Sequence, residues 1–143
     1  MKADPRTETE VMNVMNQVSE AFNKRDLDSI PLLFATDPDV VMYGTGADEK
    51  GMGLAGIKAD WERGFSQYEA SSIELVWSSV SASGSVAWVA CDCIMRAEVR
   101  GQETSFPLRI TGVLERRKGR WLNVQSHVSV PSVRQKEGES WPT

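Results

Sequence analysis

Apolar residues recur every three or four positions up to about residue 68, and from Ser71 onward they alternate with polar residues at a period of two. The first half therefore predicts helices and the second half strands. Val11, Val14, Met15, Val18, Ala21 and Phe22 fall on one helical face. Asp4-Pro5 and the capping-box spacing of Thr7 and Glu10 mark its start, and Lys24 and Arg25 sit at the negative end of its dipole. Asp26 or Asp28 caps a second, short helix from Leu27 to Phe34, which ends before Asp37-Pro38. Asp39 to Tyr43 reads as a short strand. Leu54, Ile57, Trp61, Phe65 and Tyr68 then define a third amphipathic helix.

Four strands follow: Ser71–Val80, Val86–Val99, Thr104–Glu115 and Trp121–Val130, separated by turns at Ser83-Gly84, Arg100-Gly101-Gln102 and Arg117-Lys118-Gly119. Register decides which residues share a face. A two-residue loop at the last turn pairs Arg116 with Trp121 and scrambles the apolar rows. A three-residue loop with Gly119 left-handed pairs Leu114 with Leu122, Ile110 with Ser126 and Arg109 with His127, and is the expected register. One face is then almost wholly apolar: Val89, Cys91, Cys93, Met95, Leu108, Ile110, Leu114, Leu122, Val124 and Val128. The other mixes Trp88 with Asp92, Arg109, Thr111, Asn123, Gln125 and His127. Three helices cover one face only. Charged groups are costly in a flat apolar interface, so the mixed face is expected to curve around the helices and the apolar face to meet a second copy of the chain.

Composition narrows the class. At 143 residues the chain is one domain, and 41% hydrophobic with 25% charged residues marks a folded one. Sixteen Lys and Arg against twenty Asp and Glu give a net charge of -4, so no basic face for nucleic acid is expected. No apolar run suits a transmembrane helix and the N-terminus lacks a signal-peptide core, which places the expected site of action in the cytoplasm. Two Cys and one His suit neither a disulfide scaffold nor a zinc finger, so no metal or cofactor is expected. Gly51-Met-Gly53-Leu-Ala-Gly56 has dinucleotide-loop spacing but no parallel strand–helix–strand context. Cys91 and Cys93 point to the same face and read as small core residues of the interface.

The best chemical constellation is Asp92, Arg109, Thr111, Gln125 and His127. Arg109 suits a carboxylate or oxyanion, His127 suits a general acid or base, and Asp92 suits either orienting Arg109 or acting as the base. Tyr43, Trp61, Phe65, Trp88 and Trp121 supply candidate walls for a flat ligand.

Several phrases resemble the nuclear transport factor two-like superfamily and, within it, the SnoaL-like domains. They are Ala21-Phe22 with Arg25-Asp26-Leu27-Asp28 and Leu33-Phe34; Asp39-Val-Val with Tyr43-Gly44; Gly53, Ile57 and Trp61; Val86-Ala87-Trp88-Val89; Arg109-x-Thr111, Leu114-Glu-Arg, Gly119-Arg-Trp121 and His127-x-Ser129-x-Pro131. The likeness spans roughly residues 8–131. The chain departs from the pattern at Asn123 and Gln125, which leaves a single His. The resemblance implies an α+β fold, with three N-terminal helices packed on a strongly curved antiparallel sheet, a cone-shaped barrel with an internal pocket, and a dimer. The expected domain is residues 1–131, followed by a polar tail, 132–143. The expected function is binding of a small organic, anionic ligand by Arg109, Thr111, Gln125, Tyr43, Trp61, Phe65 and Trp88. The alternatives are an isomerase, cyclase or dehydratase using His127 and Asp92, and a non-catalytic association domain.

Overall fold

The computed structural model describes residues 1–141. Helix α1 spans Pro5–Asn23. Its cap is Asp4, whose carboxylate accepts from the Arg6 and Thr7 amides at 3.0 Å, and the Thr7 hydroxyl bonds back to Asp4 at 2.7 Å. The expected Thr7–Glu10 box therefore does not form, because Glu10 turns to Arg6 and to the Trp121 indole. Asp26 accepts from the amides of Asp28 and Ser29 and starts a 3-10 turn, Leu27–Ser29, that runs into α2, Ile30–Leu33. Strands β1 (Val41–Tyr43) and β2 (Lys50–Met52) follow, the second falling inside the expected glycine-rich loop. Helix α3 covers Gly53–Gln67. Long strands β3 (Ala70–Ser83), β4 (Val86–Val99), β5 (Gln102–Arg117) and β6 (Arg120–Ser129) complete the chain.

The strands form one open, six-stranded sheet in the order β2-β1-β6-β5-β4-β3, antiparallel except where β1 runs beside β6. The outer edge of β3 is partly covered by the N-terminus, since the Ala3 amide donates to the Val80 carbonyl at 3.1 Å. Residues 130–141 lie beyond the last strand, with Val133 and Trp141 exposed; the expected tail's last two residues, 142 and 143, fall outside the described residues.

Two expectations about the sheet change. The β5–β6 turn is the two-residue one, with Lys118 and Gly119 both left-handed (φ 50° and 79°), and the β4–β5 turn likewise uses Arg100 and Gly101 (φ 53° and 72°). Paired left-handed residues match the right-handed twist of the flanking strands. Arg116 does sit opposite Trp121, but its guanidinium lies over the indole at 5.4 Å. A bulge after Val113, at Val124, then restores the apolar rows. As a result Trp121 and Asn123 are buried, whereas Leu122 and Val124 pack half-buried against the α2–β1 cluster. Thr111, not Arg109, faces His127, and Arg109 is directly opposite Asp92.

The second change is larger. Val11 and Met15 of α1 pack on Val80, Val89, Cys91, Cys93, Met95, Leu108, Ile110 and Leu114. The helices therefore cover the apolar face, and it is not available to a second copy. The expected assignment is inverted because the apolar row is where burial is worth most, roughly 25 cal/mol per Å² of apolar surface. The mixed face, with its charges, is the one left in water. A second cluster, joining Ile30, Leu33, Phe34, Val40, Met42, Ile57 and Trp61, closes the other end of the helical layer.

Candidate functional site

On the convex face, register sets rows across neighbouring strands. One row runs Trp77, Asp92, Arg109, Ser129; the next runs Ser79, Ala90, Thr111, His127, Tyr43. The Tyr43 and His127 rings stand 5.7 Å apart. Asp92, Arg109, Thr111, Gln125 and His127 are all exposed, and Trp88 is half-buried among them. Hence the five residues expected to line an internal pocket do share one surface, but it is the outer surface. The alternation of β4, β5 and β6 puts them opposite the helices, since their neighbours Cys91, Cys93, Leu108 and Ile110 take the inside. Asp92 and Arg109 are cross-strand partners, yet neither belongs to any ion pair among the described residues. Among the described residues nothing encloses a substrate between His127 and Asp92, which lie in different rows of the sheet.

The concave side is built differently. An aromatic chain runs Phe34, Trp61, Phe22, Phe65, Tyr68, with successive ring centroids 6.4, 5.2, 5.1 and 6.4 Å apart. Of the expected wall residues, Trp61 is buried core, Phe65 lies half-buried in this chain and Trp121 is buried against α1. Tyr43 and Trp88 belong to the convex face. Left-handed Arg25 (φ 57°) turns its guanidinium under the end of α3, donating to the carbonyls of Phe65 (2.9 Å) and Tyr68 and standing 5.6 and 5.7 Å from their rings. Those carbonyls are the unsatisfied acceptors of the helix end, so the Arg25 charge is already engaged.

Beyond this aromatic chain, Tyr68, Ile73, Leu75, Phe106 and Val128 point to the concave side but are only half-buried. They lie toward the ends of β3, β4 and β5, away from β2, on which α3 mainly rests, and the Asn23 side chain at the end of α1 holds the Ile73 backbone there, accepting from its amide at 2.7 Å. Burial pushes the Tyr68 phenol above its ordinary value, opposed by nearby Ser71 and the Arg25 charge, so it is a neutral donor. The Ser71 hydroxyl, on the same inward row as Ala97, is buried without a hydrogen-bond partner. Asp60, on the α3 face toward β2, also has one carboxylate oxygen buried without a partner; a Cβ on Gly51 would come within 2.8 Å of it. Burial raises its carboxyl above the ordinary value, Arg63 opposes this, and Glu49 and Asp48 add to it. Tyr68, Ser71, Phe106, Val128 and Asp60 were not among the expected site residues. Only Tyr68 carried a signal, as the last position of the α3 stripe.

The cysteines are chemically quiet. Desolvation pushes Cys91 to about 12 and Cys93 to about 11, so both are thiols in the core rather than at an interface. Among the described residues no group of three or more His, Cys, Asp or Glu is placed to hold a metal, and no helix is long and apolar enough to cross a membrane. A groove of about 540 Å³ between α1 and α2 is lined by Glu20, Lys24, Asp26, Ser29, Leu32 and Arg120. Its charges are already used: Lys24 pairs with Glu20, Asp26 with Ser29, and Arg120 donates to the Leu32 carbonyl.

Comparison with known proteins agrees with this architecture. The family model of the SnoaL-like domain matches residues 11–132. No curated protein matches the sequence. Among solved structures, a nuclear transport factor 2-like superfamily protein from Salmonella enterica serovar Typhimurium superposes with a TM-score of 0.83 at 19% identity, covering 97% of this chain and 100% of that one. A proposed aromatic ring hydroxylase from Novosphingobium aromaticivorans gives 0.80 at 16% identity, covering 92% and 93%. A proposed dehydratase from Streptomyces avermitilis gives 0.78 at 18% identity, covering 90% and 99%. At these identities the likeness speaks for the fold. With the family model spanning helix α1 to the end of the sheet, the chain belongs to the SnoaL-like domain family.

Proposed function

We propose that the domain binds a small, mainly apolar organic molecule on the concave side of the sheet, at the uncovered end between α3 and strands β3 to β6. The observation that carries this reading is the grouping of Phe65, Tyr68, Ile73, Leu75, Phe106 and Val128, which face inward yet are only half-buried. Mostly apolar walls with one or two polar groups are the ordinary make-up of a small-molecule site. Tyr68 and Ser71 offer the hydroxyls that orient a ligand carbonyl or hydroxyl. The cation against this cluster, Arg25, is taken up by two carbonyls, so the ligand expected here is neutral rather than anionic. Turnover by His127 and Asp92 does not belong to this reading, since both lie on the opposite face.

A panel of neutral polycyclic compounds, read by thermal shift, tests it. Compounds that bind should stabilise the wild type, and Val128→Trp, which fills the expected space, should abolish the shift. Equal stabilisation of both proteins would remove the concave site from consideration.

The convex face supports a second proposal, association of two copies. Val76, Trp77, Met52 and Tyr43 are 60%, 54%, 53% and 43% exposed there or at its margins, beside half-buried Trp88, Ile94 and Val113. Val76 and Trp77 lie at the β3 edge and Met52 and Tyr43 at the β2–β1 edge, so exposed apolar groups flank the polar middle of the face, a mixed surface that suits a protein partner. Light scattering at micromolar concentration should report a dimer.

A further inference from the structure

We infer that Trp141 is the missing wall of the concave site, carried on a flap that turns at Pro131 and lays the indole over Phe106 and Val128 when ligand enters. This deepens the binding reading above and rests on it. Its starting point is a gap in the sheet. Strand β5 begins at Gln102, yet β6 pairs with it only over Arg109 to Arg117. Among the described residues, 102–108 therefore have β4 on one side and no strand on the other. Two prolines explain where β6 stops. The Arg116 amide donates to the Ser85 carbonyl, so even-numbered residues of β5 turn their backbone groups toward β4 and odd-numbered ones toward β6. Pro107 thus faces the β6 side, and extending the register past Arg109–Ser129 sets Pro131 directly across from it. Paired residues at this position exchange two N–H···O=C bonds, and two prolines supply no donor. The ladder ends there and the chain is free to turn.

The gap leaves one side of the concave site open. Strand β6 contributes Val128 to the inward row of Cys91 and Ile110, but nothing beside Phe106 in the row of Ile73 and Met95. The half-buried patch between those rows is roughly 13 Å along the strands, four residues at about 3.3 Å each, and about 10 Å across two strand spacings. One tryptophan side chain, which buries about 150–250 Å², covers an opening of that size.

The segment that leaves at Pro131 carries such a group and holds it in water. Val133 and Trp141 are 97% and 80% exposed. Among the described residues, the hydrogen bonds of 132–141 all lie within the segment. The Arg134 and Gln135 amides donate to Ser132, the Lys136 amide to the Glu139 carboxylate, the Glu139 amide to the Lys136 carbonyl and the Gln135 side chain to the Glu139 carbonyl. Two local turns keep the segment together, and no bond to the sheet resists its movement. Ten residues separate Pro131 from Trp141, and an extended chain of that length reaches about 33 Å. That exceeds the patch, so the indole reaches Phe106 without the turns opening fully. Covering apolar surface is worth roughly 25 cal/mol per Å², and a ligand lying between Trp141 and Phe106 supplies the contact that favours the closed flap over the open one.

Nile red, a neutral polycyclic dye that fluoresces in apolar sites, tests this on the full chain. Trp141→Ser should speed dye release in stopped flow by about tenfold or more and leave the melting temperature of the ligand-free protein unchanged. In protein labelled with fluorotryptophan, the fluorine signal that Trp141→Phe removes should move when dye is added. Pro131→Val gives the Pro107 carbonyl a donor and lets β6 continue, so it should slow hydrogen exchange at the Ser105 amide and hold that signal still. Equal release rates, or a stationary Trp141 signal, in a protein whose dye binding Val128→Trp abolishes, overturn the flap and leave the binding site standing. A Trp141 signal that follows protein concentration instead of dye assigns the residue to a contact between copies and also overturns the flap. A wild type that takes up no dye overturns the concave site and the flap together.

Discussion

The two faces of the sheet are made from alternate residues of the same four strands, and they have opposite characters. Cys91, Cys93, Leu108, Ile110 and Leu114 face the helices and are at most 9% exposed. Asp92, Arg109 and Thr111, each one position away, are in water. The concave face therefore carries stability, and the convex face is the one on which association was proposed. The concave surface also stops short: toward the ends of β3, β4 and β5 its residues are half-buried because α3 lies over β2 instead.

That contrast is sharpest at adjacent positions of β5. Leu114 is fully buried and Val113, next to it, is half-buried on the other face. Leu114→Ala should cost about 3 kcal/mol in urea unfolding, the usual range for a large cavity in a packed core. Val113→Ala should cost well under half of that, because its side chain is half-buried on the other face. Equal losses at the two positions would erase the distinction between the faces.

Asn123 is the next test. It is 1% exposed, its amide donates to the Leu33 carbonyl at 3.1 Å, and its own carbonyl accepts from Ala35 at 2.9 Å. Asn123→Leu should cost about 2 kcal/mol by leaving the Leu33 carbonyl buried and unpaired. An unchanged midpoint would mean that the β6–α2 junction is not held by this bond. Trp121→Phe should have a smaller effect, about 1 kcal/mol, through loss of the 3.1 Å bond to Glu10 and part of the stacking under Arg116.

The smallest effects concern pH. Asp4 and Asp26 are held below their ordinary values, chiefly by the Thr7 and Ser29 hydroxyls, and Asp37 chiefly by Arg117. Each binds its proton less readily in the folded chain than in the unfolded one. Their contributions are thus complete above the unfolded value of about 3.9 and fade as pH falls through the lowered ones. Asp60 is raised by burial, so its sign is reversed: its ionised form opposes folding at neutral pH, and that penalty vanishes as pH falls through the raised value. Asp60→Asn should raise the melting temperature slightly at neutral pH and not in acid. A stabilisation independent of pH would point to packing against Gly51 as the cause.

The order of helices and long strands, their approximate limits and the membership of β4 and β5 faces were legible in the sequence. Helical and alternating periodicities report directly on burial, and at β4 and β5 the alternation is unbroken. Two short elements were not legible. Strand β2 has the sequence Lys-Gly-Met, too short for a period, and exists because β1 pairs with it. The Val124 bulge is equally silent in sequence, and without it the two-residue turn would spoil the rows of β6. The cation–π contact of Arg116 with Trp121, which makes that turn acceptable, requires both strands in place.

The sequence by itself determined that two unlike faces exist, that helices would cover only one, and which family the chain resembles. Tertiary structure alone decided which face was covered, and with it where every candidate residue lies. Pattern assigns residues to faces but contains no term for what packs against each. That choice depends on α1 presenting Val11 and Met15 to the row that gains most from leaving water. Once it was made, Asp92, Arg109 and His127 became surface groups, and Tyr68, Ser71 and Phe106 became the lining of the concave side.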